Sequence, residues 1–284
     1  MTVPGEVRNV PVAETRFLVR EHGSGDGTPA VLLHGVPETS SAWNEIAPGL
    51  ADGRRVLCPD LPGLGGSAYS GPFDVPSITA QLMALLDAEL PGQRVDLVGH
   101  DWGGSIALAM VGAHPDRFRS LVVANAPFRK VPALRAAHIP FFALPIAPEL
   151  LFRLGGPRVV DLMLTAAWKS DRSLAPEVHA EYVAAYTDPG KVQAMLGYYR
   201  GVARPRAAAL LTRRSSPHPP KTRAERMLVL WGAADPVLPV WVGESVQKDL
   251  GADCRMITVP GAGHYVLEEA PEVCLEALQE LLAE

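Results

Sequence analysis

The sequence predicts an α/β fold, a mostly parallel sheet with helices on both faces and a helical cap set into it. Short apolar runs recur, each followed by a turn signal, and helical patterns lie between most of them. Residues apolar in succession suit strands buried on both faces, and strand–helix alternation builds parallel sheets. One long stretch breaks the rhythm with helices alone. A chain of 284 residues with 48% hydrophobic and 20% charged residues has ample apolar area for such a body.

In chain order, Arg16–Arg20 predicts an early antiparallel strand. The parallel runs are Ala30–Leu33, Arg55–Cys58, Val95–Val98, Leu121–Ala124, Met227–Leu230 and Arg255–Val259. Helices are expected over Ser77–Leu90, whose Ile78, Leu82, Leu85 and Leu86 share one side, over Gly104–Ala113 and over Val240–Leu250. From about Phe128 to Glu225 no strand-like run occurs, and helices are expected near Pro157–Trp168, Pro176–Thr187 and Lys191–Arg204. The tract Ser215–Pro220 reads as the linker back to the sheet. Residues 1–127 and 226–284 therefore form the core domain and 128–225 the cap. A helical insertion between two strands is best placed above the strands' C-terminal ends, where α/β sheets bind ligands.

Composition narrows the function. The net charge is −5 and the basic residues never run beyond the pair Arg213–Arg214, so the footprint of a nucleic-acid partner is missing. Cys58, Cys254 and Cys274 fit neither a disulfide framework nor a zinc pattern. Residues 1–10 lack a signal peptide's apolar stretch, and no segment reaches the roughly 18 apolar residues of a membrane span. A cytoplasmic protein with no metal, no cofactor and no membrane partner is expected, as a monomer or homodimer. Gly63–Ala68 matches a dinucleotide fingerprint by accident, because Pro62, Gly71 and Pro72 leave no helix to receive a pyrophosphate.

The sharpest local signal is Gly99-His100-Asp101-Trp102-Gly103-Gly104, directly after a strand and before a helix. Small residues two before, two after and three after a central residue permit a very tight turn that lifts that residue into the cleft. The central residue is Asp101. A carboxylate with an ordinary pKa near ~3.9 is ionised at neutral pH and attacks without a base. As a modest nucleophile it suits displacement at saturated carbon, with epoxides and carbon–halogen bonds as natural electrophiles. Asp235 and His264 each follow a predicted strand, and the order nucleophile, acid, histidine matches a triad of this topology. His264, oriented by Asp235, would direct water onto the resulting ester. In the loop His34-Gly35-Val36-Pro37, the Val36 N–H would join that of Trp102 in an oxyanion hole, with His34 bracing the loop.

On these motifs, together with Asp60–Ser67, the chain resembles the α/β-hydrolase superfamily and, within it, the epoxide hydrolases. The resemblance spans nearly the whole chain and implies an eight-stranded sheet with the cap after the sixth strand. It also implies cap tyrosines that protonate the epoxide oxygen. Leu196-Gly197-Tyr198-Tyr199-Arg200 is similar to the second such motif, with Tyr199 in the functional position. Independently, Val192, Leu196 and Tyr199 share a helical stripe. The other tyrosine's expected position holds His138. A small hydrophobic epoxide and water are the implied partners, and Phe141, Phe142, Leu144, Met163 and Trp168 are the cap's apolar candidates for shaping the pocket. Tyr182 and Tyr186, one turn apart, read as cap packing. The alternative is a haloalkane or haloacetate dehalogenase with the same nucleophile; Trp102 resembles a halide donor and His138 a halide-binding histidine, but Val36 offers no second side-chain donor. A ligand-binding protein without turnover is the reading from another class, and Asp101 in place of Ser counts against it.

Overall fold

The computed structural model describes residues 5–283 apart from 131, 133–134, 136 and 213–222. Its sheet has eight strands: β1 (Glu6–Val12), β2 (Thr15–His22), β3 (Ala30–Leu33), β4 (Val56–Pro59), β5 (Val95–His100), β6 (Phe118–Ala124), β7 (Arg226–Gly232) and β8 (Arg255–Val259). They lie in the order β1-β2-β4-β3-β5-β6-β7-β8. The β1–β2 and β2–β4 pairs are antiparallel, and every pair from β4 through β8 is parallel. β3, β4 and β5 are buried throughout, as successive apolar residues require in a sheet covered on both faces. Asp96 is the acidic exception within β5, and Arg54 and Arg119 face it at 3.2 and 2.6 Å.

The strand order places β3 between β4 and β5. The connection leaving β3 runs toward one edge of the sheet and that leaving β5 toward the other, so a crevice opens at their C-terminal ends. The loop after β3 and the turn after β5 both border it.

Helices Val75–Glu89, Asp101–Ala113, Val240–Leu250 and Pro271–Leu282 cover the sheet. The first is capped by Asp74, whose carboxylate accepts the Ser77 N–H at 3.0 Å, and it buries Ile78, Leu82, Leu85 and Leu86 as the spacing predicts. Between β6 and β7 lies the cap, with helices His138–Ala143, Ala147–Gly155, Pro157–Ala167, Pro176–Thr187 and Pro189–Thr212. Among the described residues, no helix is long and apolar enough to cross a membrane. All three cysteines are buried and free.

The structure adds elements to the expected set. β1 is an edge strand whose exposed residues give no apolar run. Helices 138–143 and 147–155 are hidden in the sequence by Pro140, Pro145 and Pro148, two of which sit within a helix's first residues, where a missing N–H costs nothing. The last cap helix starts before and ends after Lys191–Arg204. The Arg213–Arg214 pair and the Ser215–Pro220 tract lie outside the described residues.

The turn after β5 admits no side chain at its small positions. A Cβ on Gly103 would collide with the Leu33 carbonyl and meet the His34 carbonyl oxygen at 2.6 Å, both backbone groups of the neighbouring strand end. Gly103→Ala is expected to destabilise the protein by about 3 kcal/mol, measured as a lowered denaturation midpoint in urea with unchanged slope.

Candidate active site

Asp101 stands where β5 ends and the next helix begins. Its φ of 47° lies in the left-handed region that non-glycine residues rarely occupy. Such backbone costs on the order of 1–3 kcal/mol and persists only where the surroundings hold it. Here Gly99 and Gly104 let the two arms of the turn close on each other and on Ala126, and the Gly103 N–H donates to the His34 carbonyl at 3.1 Å. The result is a carboxylate raised above the sheet into the crevice.

Its two oxygens have different neighbours. Oδ2 accepts the Val36 N–H at 3.1 Å, and Oδ1 lies 3.8 Å from His264 Nε2. Gly35 has to be glycine beside it, since a Cβ there would meet the Asp101 Cβ at 2.6 Å. Trp102 lies in the first turn of the helix, where backbone N–H groups have no intrahelical acceptor and the helix dipole favours negative charge.

His264 follows β8, and its Nδ1 bonds Asp235 Oδ2 at 2.8 Å. Asp235 follows β7 and is saturated with donors. Asn125 Nδ2 reaches Oδ2 at 2.6 Å, while the Val237 and Leu238 N–H groups reach Oδ1 at 2.7 and 2.9 Å. The turn motif that Asp235–Pro236 suggests and the contact with His264 thus coexist on one carboxylate. Burial works against its charge, but His264 and these hydrogen bonds outweigh it and hold the Asp235 pKa below the usual range. For His264, burial pulls the pKa down, and the charge and hydrogen bond of Asp235, helped by Asp101, raise it above the ordinary value. The ring can therefore take a proton on Nε2 with its Nδ1 side already paired.

Above these groups is a cavity of about 340 Å³, mostly apolar, bordered by Val36, Asp101 and His264 below and by cap residues above. Tyr199 and His138 both face it. Their rings lie edge-on at 6.1 Å, and Trp102 packs edge-on against Tyr199 at 5.1 Å. Burial and the Asp101 charge push the Tyr199 hydroxyl's pKa up and keep it protonated, while hydrogen bonding with the Trp102 indole acts in the opposite sense. Burial lowers the pKa of His138, opposed by Asp101, so the ring favours its neutral form. Phe141, Phe142 and Met163 line the cavity as expected. Leu144 and Trp168 do not: Leu144 lies half exposed at a helix end, and Trp168 packs on Tyr265.

The sequence reading left several neighbours unassigned. Glu38, four residues after His34, accepts the Gly35 N–H at 2.5 Å and bonds His100 Nδ1 at 2.8 Å. His100 Nε2 reaches the His264 carbonyl at 2.9 Å. Asn125, with φ of 38°, links Asp235 to the Gly232 N–H. Tyr182 and Tyr186 are buried as packing predicts, yet their hydroxyls also tie the cap to Glu268 and to the Glu38 carbonyl. His34 braces the loop, accepting the Leu61 N–H on Nε2 at 2.9 Å. The one readable signal is an acidic residue, Glu38, directly after the His34–Pro37 motif. Among the described residues, no cluster of three or more His, Cys, Asp or Glu could hold a metal.

Known proteins resemble the chain over nearly its whole length. A family model described as "Alpha/beta hydrolase family" matches residues 30–277. Epoxide hydrolase A of Mycobacterium tuberculosis is 28% identical over 336 residues, covering 99% of this chain and 98% of that protein. The soluble epoxide hydrolase of Corynebacterium sp. is 27% identical over 284 residues, covering 92% of each. A solved structure, titled as novel epoxide hydrolases from metagenomes of hot environments, superposes with a TM-score of 0.80 at 22% identity over 99% of each chain, a likeness of fold.

The Asp235 contact has a direct readout. Ring-carbon NMR of His264 is expected to show titration above the ordinary imidazole value in the wild type, and Asp235→Asn should lower it, because burial is then opposed by Asp101 without the Asp235 charge.

Proposed function

The chain belongs to the alpha/beta hydrolase family, and on that footing we propose that it opens a small hydrophobic epoxide to a vicinal diol through an ester on Asp101. The observation that carries this reading is the unequal setting of the Asp101 oxygens, one held by the Val36 N–H and the other facing His264 below a cavity that holds Tyr199 and His138. Epoxide hydrolase relatives over nearly the full chain support it.

In the first step Asp101 Oδ1 attacks an epoxide carbon, the carbon–oxygen bond breaks, and the departing oxygen takes the Tyr199 proton. His138, neutral in the same cavity, steadies that oxygen as second partner. The new ester's carbonyl oxygen is Oδ2, already at the Val36 N–H. In the second step His264 Nε2 removes a proton from water as the water oxygen attacks the ester carbon. Asp235 stabilises the imidazolium, and the N–H groups of Val36 and Trp102 stabilise the oxyanion. Collapse expels the diol oxygen, which takes the proton from His264. The proton left on the regenerated Asp101 carboxyl passes to the Tyr199 phenolate, so one epoxide and one water give one diol.

The same nucleophile could expel halide, but the surroundings favour the epoxide. Trp102 is turned to Tyr199 and does not border the cavity, and Val36 has no side-chain donor. A carboxylate that needs no base, under a phenol kept protonated, suits an electrophile whose leaving oxygen must be protonated on departure.

Two outcomes are expected. His264→Ala, mixed with a small aliphatic epoxide and weighed intact, should gain one epoxide mass on Asp101; no gain, with an active wild type, contradicts the covalent route. Tyr199→Phe should lower kcat/KM for the epoxide by about 100-fold, with a smaller loss for His138→Ala, followed by diol release, and halide release from haloalkanes should stay at background.

A further inference from the structure

We propose that Glu268 holds a proton in the resting protein and donates it to Glu38, making Glu268 a positioning residue for the oxyanion loop and His264. The proton is assigned by hydrogen-bond accounting. Glu38 is buried; its Oε2 accepts the Gly35 N–H and bonds His100, and its Oε1 has no N–H or O–H donor. Glu268, on the short helix Val266–Glu269, is buried as well. Its Oε1 accepts the Tyr182 hydroxyl at 2.8 Å, and its Oε2 also lacks a donor. Tyr182 and Tyr186, one turn apart on a cap helix, bring the two residues together, Tyr182 on the Glu268 carboxyl and Tyr186 on the Glu38 carbonyl, and the Glu38 charge acts on Glu268. Two facing carboxylates, each with a buried oxygen that no donor reaches, would repel. One shared proton satisfies both oxygens and removes the repulsion.

The surroundings decide which carboxyl keeps it. Glu38 has His100 and the Gly35 N–H beside it; burial opposes its charge, but these groups hold its pKa at about 2. His100 is pushed up to about 9, with burial opposed by the charge and hydrogen bond of Glu38. Glu268 faces Glu38, Tyr182, His100 and Tyr265. Burial and the Glu38 charge raise it well above the carboxyl range, against the Tyr182 hydrogen bond and the His100 charge. A neutral Glu268 thus lets Glu38 stay ionised against a charged His100. Glu38 then fixes the Gly35 N–H, one residue before the Val36 N–H on Asp101, and His100 fixes the His264 carbonyl. The effect on turnover rests on the reading under Proposed function; the protonation does not.

Glu268→Gln keeps both contacts, its amide N–H₂ donating to Glu38 and its oxygen accepting from Tyr182, but it cannot ionise. A raised folded-state pKa means that the folded protein binds a proton the unfolded chain has released above about 4.3, so wild-type stability falls as pH rises through that window. The Tm of Glu268→Gln should therefore climb relative to wild type from pH 5 to 8, on the order of 3 °C per pH unit. The infrared difference spectrum, wild type minus variant at pH 8, should show a protonated-carboxyl C=O stretch. A Tm difference flat with pH, or a carboxylate band in place of the acid band, overturns the assignment. If the glutamine variant does not fold, the same acid band in wild type at pH 8 and its shift in Tyr182→Phe serve instead; its absence overturns the proposal. For the positioning role, diol formation in Glu268→Gln should stay within about threefold of wild type, while Glu268→Leu loses at least tenfold in kcat at unchanged KM. Equal loss in both variants, with the acid band present, removes the positioning role and leaves the proton.

Discussion

A steric constraint governs the site: three positions around Asp101 leave no room for a side chain. Gly99, Gly103 and Gly104 bring the end of β5, the start of the following helix and the end of β3 into backbone contact. That contact forces Asp101 into the left-handed region and aims its carboxylate out of the sheet. The same closeness brings the loop after β3 within hydrogen-bonding reach of Oδ2. Position, orientation and one electrostatic partner of the carboxylate follow from a single tight turn.

Charge is then arranged around that carboxylate in two pairs that meet at His264. Asp235 supports the ring from Nδ1, held in turn by Asn125 and two backbone N–H groups. His100, paired with Glu38, holds the same residue by its carbonyl oxygen. The cap is fastened to this assembly and not merely laid over it. The His264 N–H donates to the Ala167 carbonyl, Glu269 accepts the Lys169 and Ser170 N–H groups, and Tyr186 and Tyr198 donate to the Glu38 and Pro62 carbonyls. A cap anchored at its middle and last helices carries Tyr199 over the cavity that Asp101 and His138 also line. In the proposed reaction that placement lets the donors reach the epoxide oxygen while Asp101 faces a ring carbon, and the apolar walls shaped by Phe141, Phe142 and Met163 set which substrate is retained.

The features legible in the sequence were those that physics imposes locally. Strands buried on both faces must be apolar residue after residue, so β3 through β7 are legible; β8, at the sheet's edge and partly exposed, is legible by its run of β-formers. The turn after β5 must be free of side chains, so its glycines point at Asp101. Asp235 and His264 could be found because each follows a strand end. Less legible was whatever depends on partners far apart in the chain. Glu38, His100, Tyr182 and Glu268 come from four separate elements, and each alone looks like a loop residue, a strand end or helix packing. β1 was hidden because an edge strand with polar, exposed residues has no apolar signature, and the first cap helices because prolines there begin helices as well as break them. Leu144 and Trp168 show the limit of reading a pocket from apolar residues, since packing and lining demand the same side chains.

The measurement that bears most directly on the central claim follows oxygen through Asp101. After a single turnover of excess protein over epoxide in heavy-oxygen water, the peptide carrying Asp101 is isolated and weighed. Attack by this side chain and hydrolysis at its carbonyl carbon place one solvent-derived oxygen in the carboxyl group, while the diol's new oxygen comes from the protein. Heavy oxygen found in the diol alone, with the Asp101 peptide unlabelled, would mean that water opens the ring directly and would contradict the account.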